Sequence, residues 1–361
     1  MAEKILMKGN EAIAEAALRA GCRLYFAYPI TPQSELIEYM SRMMPKAGGT
    51  FVQAESEVAA INMVYGASGC GKRVMTSSSS PGVSLKQEGI SYISGASLPA
   101  VVVNVVRGGP GLGDIQPAQG DYFQATRGGG HGDYRTIVLA PSTVQEFADM
   151  APLAFDLADK YRMVALILSD GLIGQMMEPV EFQPAKTEKE LEELNNQHLD
   201  WCMHPNEDEP NHHHHIINSL ELDPHVLSDL VLNLEKKYIE VEKNEIRFEE
   251  YNISPDNEIV CVAFGTAARI TKSAIDELQK EGKSVGLIRP ITLWPFPAKA
   301  IDDAIHQKVR KVLTLELNLG QMIDDVRLAL KGKVPVEFMG RVGGLVFTPE
   351  EVKAKIEEIF I

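Results

Sequence analysis

The chain has 361 residues, of which 45% are hydrophobic and 24% are charged, a composition typical of a soluble folded protein with about two domains. Its net charge of −15 argues against nucleic acid as a partner, because binding to phosphates depends on clustered lysine and arginine. The apolar runs are too short to span a membrane and the first residues lack a signal-peptide pattern, so we expect a cytoplasmic protein with no membrane partner.

Apolar runs typical of strands alternate with helical patterns over residues 1–180. The predicted strands are at 24–27, 50–54, 73–77, 100–106, 136–140 and 164–169. The predicted helices are at 11–20, with Asn10 as the N-cap, and at 32–44, 57–67, 83–96 and 144–160. Continuous apolar strands separated by helices predict an α/β domain whose parallel sheet is covered on both faces.

Residues 181–256 are predicted to form a polar connector. They contain a polar stretch at 206–215, followed by apolar residues at helical spacing from Leu227 to Phe248, which predict an amphipathic helix that packs on a domain or a partner. Residues 257–361 predict a second, smaller α/β domain. Its predicted strands are at 259–264, 284–288, 312–316 and 336–339, and its predicted helices at 267–281, 298–309 and 322–330.

Residues 108–134 break this alternation with a glycine-rich segment that has little helical or strand periodicity. A loop of this length is usually functional, so we predict a binding loop. The segment does not match a dinucleotide-binding motif, because the glycines at 109, 111 and 113 run into Asp114 and Pro117 instead of a helix.

The cysteines and histidines predict no metal site. The four cysteines are scattered without a Cys-x-x-Cys pair, so any iron–sulfur centre is expected on another subunit. Four histidines at 212–215, with Cys202 and His204 upstream, suggest zinc ligands. Adjacent histidines cannot all face one ion and the neighbouring residues are polar, so we interpret this run as a solvated loop.

Polar residues follow three of the predicted strands at their carboxyl ends, where open α/β sheets bind ligands. Thr31 follows the first strand, Glu55 and Glu57 follow the second, and Arg107 ends the fourth. Each also has a structural interpretation: Thr31 as the N-cap of a helix at Pro32, the acids as partners of a helix dipole, and Arg107 as a surface ion pair. Because these residues share one sheet edge, we expect them to converge on a ligand.

Five segments stand out as motifs: Tyr28-Pro29-Ile30-Thr31-Pro32, Gln53-Ala54-Glu55-Ser56-Glu57, residues 76–80, Arg107-Gly108-Gly109-Pro110 and residues 288–297. Together they resemble the alpha subunit of 2-oxoacid:ferredoxin oxidoreductases, most closely the branched-chain 2-oxoacid (2-oxoisovalerate) type. The resemblance covers nearly the whole chain except the polar stretch at 206–215, and the motifs are specific in combination.

The resemblance implies that the first domain holds the pyrimidine half of a thiamine diphosphate site and that the second resembles the C-terminal domain of transketolases. Glu57 matches the glutamate that activates the aminopyrimidine ring, with Glu55 as the rival candidate. Thr31 and Arg107 match residues that hold the 2-oxo acid. The other implied cofactor contacts are Tyr28, Pro29 and Ile30.

The resemblance also implies partners. A beta subunit would carry the diphosphate and Mg²⁺ half of the site, and 4Fe–4S clusters would lie on the beta subunit or on gamma and ferredoxin-like subunits. The implied reaction is oxidative decarboxylation of a 2-oxo acid to acyl-coenzyme A and CO2, with reduction of ferredoxin. Ser169-Asp170-Gly171 and Asn195-Asn196 imitate the metal motif of thiamine enzymes, and we interpret them as not binding metal.

Three alternatives stay open from the sequence. The 2-oxo acid could be 2-oxoglutarate or pyruvate instead of 2-oxoisovalerate, because Thr31 and Arg107 would recognise groups that all 2-oxo acids share. The chain could be the beta subunit of a lipoamide-linked 2-oxoacid dehydrogenase, which has the same domain order. It could also be a non-catalytic scaffold. No extra cation for a distal carboxylate is identifiable, which favours an apolar acid.

Overall fold

The computed structural model describes residues 4–203 and 215–360, which form three β-sheets and thirteen α-helices. The strands are β1 (Ile5–Lys8), β2 (Leu24–Ala27), β3 (Thr50–Gln53), β4 (Val74–Ser78), β5 (Ala100–Val106), β6 (Ile137–Leu139), β7 (Val164–Asp170), β8 (Met177–Val180), β9 (Phe248–Tyr251), β10 (Ile259–Ala263), β11 (Val285–Pro290), β12 (Thr292–Trp294), β13 (Lys311–Glu316) and β14 (Val336–Gly340). The helices are α1 (Gly9–Arg19), α2 (Ser34–Met43), α3 (Glu57–Gly69), α4 (Ser80–Gly95), α5 (Tyr122–Thr126), α6 (Val144–Tyr161), α7 (Gly171–Gln175), α8 (Glu188–Gln197), α9 (Pro224–Asn244), α10 (Gly265–Lys280), α11 (Ala298–Asp303), α12 (Met322–Leu330) and α13 (Pro349–Phe360). In these two stretches no helix is both long and apolar enough to cross a membrane.

The first domain is built on a seven-stranded sheet with the order β12-β6-β7-β5-β4-β2-β3. All neighbouring strands are parallel except β12, which runs antiparallel to β6. Every residue of β5 is buried, because helices cover both faces of the sheet. The predicted α/β fold with a parallel sheet is therefore confirmed.

The second domain has a five-stranded sheet with the order β14-β13-β10-β11-β9. Its strands are parallel except β9, which runs antiparallel to β11. The residues of β9 were predicted to belong to the connector, and Phe248, the first of them, was predicted to end an amphipathic helix. That helix, α9, ends at Asn244, and it buries Leu234, Tyr238 and Val241 at the predicted helical spacing.

The motif at 288–297 joins the two domains. After β11 the chain crosses to the first sheet, where β12 pairs with β6. Arg289, in β11 just before this crossover, is 1% exposed and forms a bidentate ion pair with Glu146 of α6, at 2.6 and 3.0 Å. Its Nε donates to Glu249 of β9 at 2.6 Å. A buried cation thus binds one carboxylate from each domain.

The glycine-rich segment is held between the domains. It contains the short helix α5, which the sequence did not predict, and just before it Gln119 bonds to the second domain four times. The backbone N–H of Gln119 donates to Leu317, its side chain accepts from Leu317 and donates to Phe264, and its carbonyl accepts from Asn318, each bond measuring 2.9 Å. The segment is therefore an ordered bridge.

Some predicted boundaries were wrong. α1 begins at Gly9 with Lys8 as its N-cap, and Asn10 lies buried inside the helix, where its amide donates to the carbonyl of Pro32 (2.8 Å) and to Glu35 (3.0 Å). α11 ends well before the predicted position 309, and the sequence did not predict α13, β1, β8 or β12. These strands are short and pair with distant segments, which a local pattern does not reveal.

Replacing Arg289 with Met should lower the free energy of unfolding by about 3 kcal/mol, because it leaves two carboxylates facing an apolar side chain at the domain junction. The value lies at the low end for a buried pair, since Glu146 and Glu249 keep about a third of their side-chain exposure (32% and 31%). Urea unfolding at neutral pH measures it. The control is Lys308→Met, which breaks an exposed pair with Asp256 and should change the midpoint little. Equal effects of the two variants would contradict the proposed importance of the junction.

Candidate functional site

The predicted site residues meet at one edge of the first sheet. β5, β4, β2 and β3 are parallel neighbours, so their carboxyl ends lie side by side. Arg107 follows β5, the serines at 77–80 end β4 and open α4, residues 28–31 follow β2, and Glu57 opens α3 after β3. The structure therefore brings together four of the segments that the sequence singled out, with the serine-rich run of residues 76–80 between the others.

Arg107 and Thr31 are in direct contact. Arg107 is 6% exposed, and its Nη1 donates to the backbone carbonyl of Thr31 at 2.9 Å, while Nη2 donates to the carbonyl of Leu112 at the same distance. Its backbone is fixed by Ser80, whose hydroxyl accepts from the Arg107 N–H at 3.1 Å. Because Arg107 is buried and bonds to carbonyls, its interpretation as a surface ion pair was wrong.

Thr31 does not cap a helix. α2 begins at Ser34, its N-cap residue is Gln33, and no side chain caps it by a hydrogen bond. The interpretation of Thr31 as the N-cap was therefore wrong, and the Thr31 side chain lies exposed at the sheet edge. Tyr28 and Pro29 are also exposed there.

Glu57 is a buried carboxylate at a helix start. It is the first residue of α3 and 6% exposed, whereas Glu55 is exposed before the helix. A Cβ on Gly82 of α4 would lie 2.6 Å from Glu57 Oε1 and 2.1 Å from Ser78 Oγ, so a side chain at this position would displace both groups. The carboxylate thus lies near the first turns of both α3 and α4, where helix dipoles favour negative charge.

Several buried polar atoms at the sheet edge that carries Glu57 lack a hydrogen-bond partner in the described part of the chain. They are Gln33 Nε2, Ser78 Oγ, Ser79 Oγ and Arg107 Nε. Buried polar groups are normally satisfied, so this cluster fits a ligand that supplies donors and acceptors of its own. An aminopyrimidine ring, with ring nitrogens and an amino group, has that chemistry.

Sequence reasoning missed Lys86 and Asp121. Lys86 is fully buried, and its Nζ donates to Thr76 Oγ1 at 2.8 Å. Burial lowers the pKa of Lys86 to about 7, and the nearby Glu57 opposes that shift. Asp121 accepts from Asn104 at 2.9 Å, and burial raises its pKa. Lys86 was detectable, since it falls between Val83 and Ile90 on the buried face of α4.

The segments interpreted as metal-free have structural roles. Asp170 caps α7 by accepting from the N–H groups of Leu172 and Ile173, at 2.9 and 3.2 Å, and burial raises its pKa. His215 lies 3.1 Å from the carbonyl of Cys202 through its Nδ1. His204 and the histidines at 212–214 lie outside the described residues. Within 4–203 and 215–360, no three His, Cys, Asp or Glu side chains are grouped closely enough to hold a metal ion.

Two family models match the chain. Residues 15–246 match pyruvate flavodoxin/ferredoxin oxidoreductase, thiamine diphosphate-binding, and residues 257–352 match pyruvate:ferredoxin oxidoreductase core domain II. The chain is 47% identical to ketoisovalerate oxidoreductase subunit VorB of Methanothermobacter thermautotrophicus, over 98% of this chain and 97% of that protein. It is 36% identical to 2-oxoglutarate synthase subunit KorA of Methanocaldococcus jannaschii, over 97% of this chain and 98% of that protein.

Solved structures agree on the fold. The 2-oxoglutarate:ferredoxin oxidoreductase of Magnetococcus marinus, with 2-oxoglutarate, coenzyme A and succinyl-CoA bound, superposes with a TM-score of 0.83 at 27% identity, covering 99% of this chain and 65% of that one. A split-gene transketolase superposes with a TM-score of 0.55 at 13% identity, which shows a shared fold. Sequence, domain models and fold thus agree, and the chain belongs to the 2-oxoacid:ferredoxin oxidoreductase family as a subunit with the thiamine diphosphate-binding domain.

Proposed function

We propose that this chain is the alpha subunit of an enzyme that oxidatively decarboxylates 2-oxoisovalerate and related branched-chain 2-oxo acids to acyl-coenzyme A and CO2, with reduction of ferredoxin. The observation that carries the proposal is the buried Glu57 at the same sheet edge as the Arg107–Thr31 pair and several buried polar atoms without partners in the described chain. The 47% identity to a ketoisovalerate oxidoreductase subunit supports the choice of substrate.

Glu57 would hold the aminopyrimidine of thiamine diphosphate. Bound thiamine diphosphate supplies a nucleophilic thiazolium carbon and an electron sink for decarboxylation. A buried carboxylate accepts a hydrogen bond from a protonated ring nitrogen and stabilises that proton. Glu57 suits this role because it is 6% exposed and lies closely against Gly82 of α4, while Glu55 is solvated. The domain of residues 1–180 would thus provide the pyrimidine half of the site, with Tyr28, Pro29 and Ile30 against the cofactor.

Arg107 and Thr31 would bind the 2-oxo acid. The two Arg107 Nη atoms bond to carbonyls, which orients the guanidinium, while Nε is buried without a partner in the described chain. That remaining donor and the positive charge can bind a carboxylate, and charge-assisted bonds of this kind are the strong ones. The Thr31 hydroxyl, which does not cap α2, can bond to the adjacent 2-oxo group.

The surroundings favour an apolar substrate. A cavity of about 520 Å³ follows Arg107, between the glycine-rich segment and the second domain. Its walls include Pro110, Leu317, Leu319 and Val342, and none of its lining residues in the described chain is a lysine or arginine. Asp121 also lines it and would repel a distal carboxylate. We therefore expect 2-oxoglutarate to be a poorer substrate than branched-chain 2-oxo acids.

The diphosphate, Mg²⁺ and 4Fe–4S clusters would be held by partner subunits. Asp170, the one acid of the metal-like motif, is used as a helix cap. The mouth of the site carries exposed apolar side chains, which favours a covering subunit. These are Tyr28, Val58, Leu85 and Leu112, exposed by 38%, 42%, 53% and 80%. We expect a beta subunit at this mouth, gamma and ferredoxin-like subunits in the same complex, and coenzyme A as co-substrate.

The proposal is tested with the assembled complex. Co-expression of this chain with candidate beta, gamma and ferredoxin-like subunits should give a hetero-oligomer that contains iron and labile sulfide and reduces ferredoxin. Its kcat/KM should be higher for 2-oxoisovalerate than for pyruvate or 2-oxoglutarate, because an apolar cavity binds a branched side chain and leaves a distal carboxylate unpaired. A higher kcat/KM for 2-oxoglutarate would overturn the substrate assignment, and turnover by this chain alone would overturn the subunit assignment.

Glu57→Gln should slow deuterium exchange at thiamine C2 by about 10²- to 10⁴-fold in the assembled complex, because glutamine cannot stabilise a protonated ring nitrogen. Folding should hardly change, since glutamine has the same shape. The matched control is Glu55→Gln, which changes an exposed acid two positions earlier and should keep near wild-type exchange. The reverse pattern would assign the role to Glu55.

Arg107→Ala should raise KM for every 2-oxo acid by about 10- to 100-fold, the loss of a charge-assisted hydrogen bond. Steady-state kinetics on the assembled complex measure it, and equilibrium dialysis should show that thiamine diphosphate still binds. Arg310→Ala is the control, since Arg310 is a largely exposed arginine on the second domain, 72% exposed in its side chain. If thiamine diphosphate no longer binds while KM is unchanged, Arg107 binds the cofactor and not the substrate.

A further inference from the structure

Lys86 lies in the contact between α3 and α4. The two helices approach closely at two glycines of α4: a Cβ on Gly82 would lie 2.6 Å from Glu57 Oε1, and a Cβ on Gly89 would lie 2.5 Å from Ile61. Lys86 is four residues after Gly82 and three before Gly89, so it shares their face of the helix. It is fully buried, which is rare for lysine without a charged partner.

The amine of Lys86 has one charged neighbour. Its Nζ donates to Thr76 of β4, whose hydroxyl in turn donates to the carbonyl of Phe26 of β2 at 2.6 Å. These groups are uncharged, and Glu57 of α3 is the charged group that bears on Lys86. Since the amine bonds to Thr76, Glu57 acts on it through space. The two side chains are thus a buried pair of opposite charges without direct contact.

We propose that Lys86 is a positioning residue that keeps the charge of the Glu57 site constant: it loses a proton when a protonated pyrimidine nitrogen binds to Glu57. This inference rests on the proposed function. Without the ring, the Glu57 carboxylate and the Lys86 ammonium sum to zero. With the ring, Glu57 and the protonated nitrogen sum to zero and Lys86 is neutral. One N–H bond is lost at Lys86 Nζ and one is gained at the ring nitrogen, so the proton count is unchanged.

The physical reason is the cost of a buried charge. A second cation beside Glu57 would leave one positive charge without a partner in a site that excludes water, and such a group loses its proton instead. Burial already lowers the pKa of Lys86 to about 7, so little free energy is needed to release the proton near neutral pH. An ordinary lysine, with a pKa of 10.5, would stay charged.

The first test needs no cofactor. Because the folded-state pKa of Lys86 is lowered from 10.5 to about 7, its unfavourable burial is fully present below pH 7 and disappears as the pH rises towards 10.5. The stability of the full chain relative to Lys86→Met should therefore rise across this window. Difference curves are required, because burial also lowers the pKa of Lys237 to about 8. In a Glu57→Gln background the rise should begin at lower pH, and an unchanged onset would overturn the pairing.

The second test counts protons. Thiamine diphosphate with Mg²⁺ is titrated into the assembled complex at pH 6.5 in buffers of different ionisation enthalpy, and the calorimetric difference gives the protons taken up. Lys86→Met should take up about one proton more than wild type per cofactor bound, because no internal proton is available. At pH 8.5, where Lys86 is already neutral, the two should converge. The contributions of diphosphate and partner subunits cancel in this comparison.

Two further variants separate the possible outcomes. The conservative Lys86→Arg keeps a permanent charge that cannot be released, so it should oppose protonation of the ring nitrogen and weaken binding of thiamine diphosphate without the extra proton uptake of Lys86→Met. Lys46→Met, at an exposed lysine, should behave like wild type. Equal counts for wild type and Lys86→Met at pH 6.5 would overturn the inference. If Glu57→Gln leaves the proton count and the affinity for thiamine diphosphate unchanged, the placement of the ring at Glu57 fails, and with it the proposed function. In that case the pH dependence of stability, which is measured without cofactor, still tests whether Lys86 and Glu57 interact.

Discussion

The absence of a side chain at Gly82 is the constraint on which the site depends. It lets α4 approach α3 closely enough for the Glu57 carboxylate to lie against the α4 backbone, beside the Ser78 hydroxyl. The carboxylate therefore lies near the starts of two helices, which favour its charge. The same approach buries the next turn of α4, where Lys86 supplies the opposite charge. One glycine thus determines both the position and the electrostatics of the acid.

The orientation of Arg107 in the candidate site depends on the second domain. Arg107 belongs to the first sheet, but the segment that follows it is fixed by the four hydrogen bonds of Gln119 to residues beyond 260. Leu112 lies in that segment, and its carbonyl binds the Arg107 guanidinium. The Arg289 ion pairs and the β12–β6 pairing hold the same junction. The orientation of Arg107 therefore depends on contacts made by both domains.

The sequence could predict what depends on local pattern. The run that becomes β5 is apolar throughout, so its burial and its place in a parallel sheet followed directly. The resemblance favoured Glu57 over its rival Glu55, and the folded chain buries Glu57 while Glu55 is exposed. Thr31 was misjudged as a cap because the proline after it suggested the helix start, whereas the helix begins at Ser34. β12 was missed because it has three residues and pairs with β6, a strand more than 150 positions earlier in the chain.

Lys86 was missed for a different reason: a lysine within a helix is ordinarily solvated, so this one was not singled out. The buried polar atoms without hydrogen-bond partners in the described chain also depend on the fold and could not be predicted from the sequence. Leaving a buried donor or acceptor without a partner costs about 1–3 kcal/mol, and several such atoms lie at the sheet edge of Glu57 and Arg107. Folding alone does not recover that free energy. A bound ring and a substrate carboxylate would recover it, which supports the proposal that this chain forms one half of a binding site completed by another subunit.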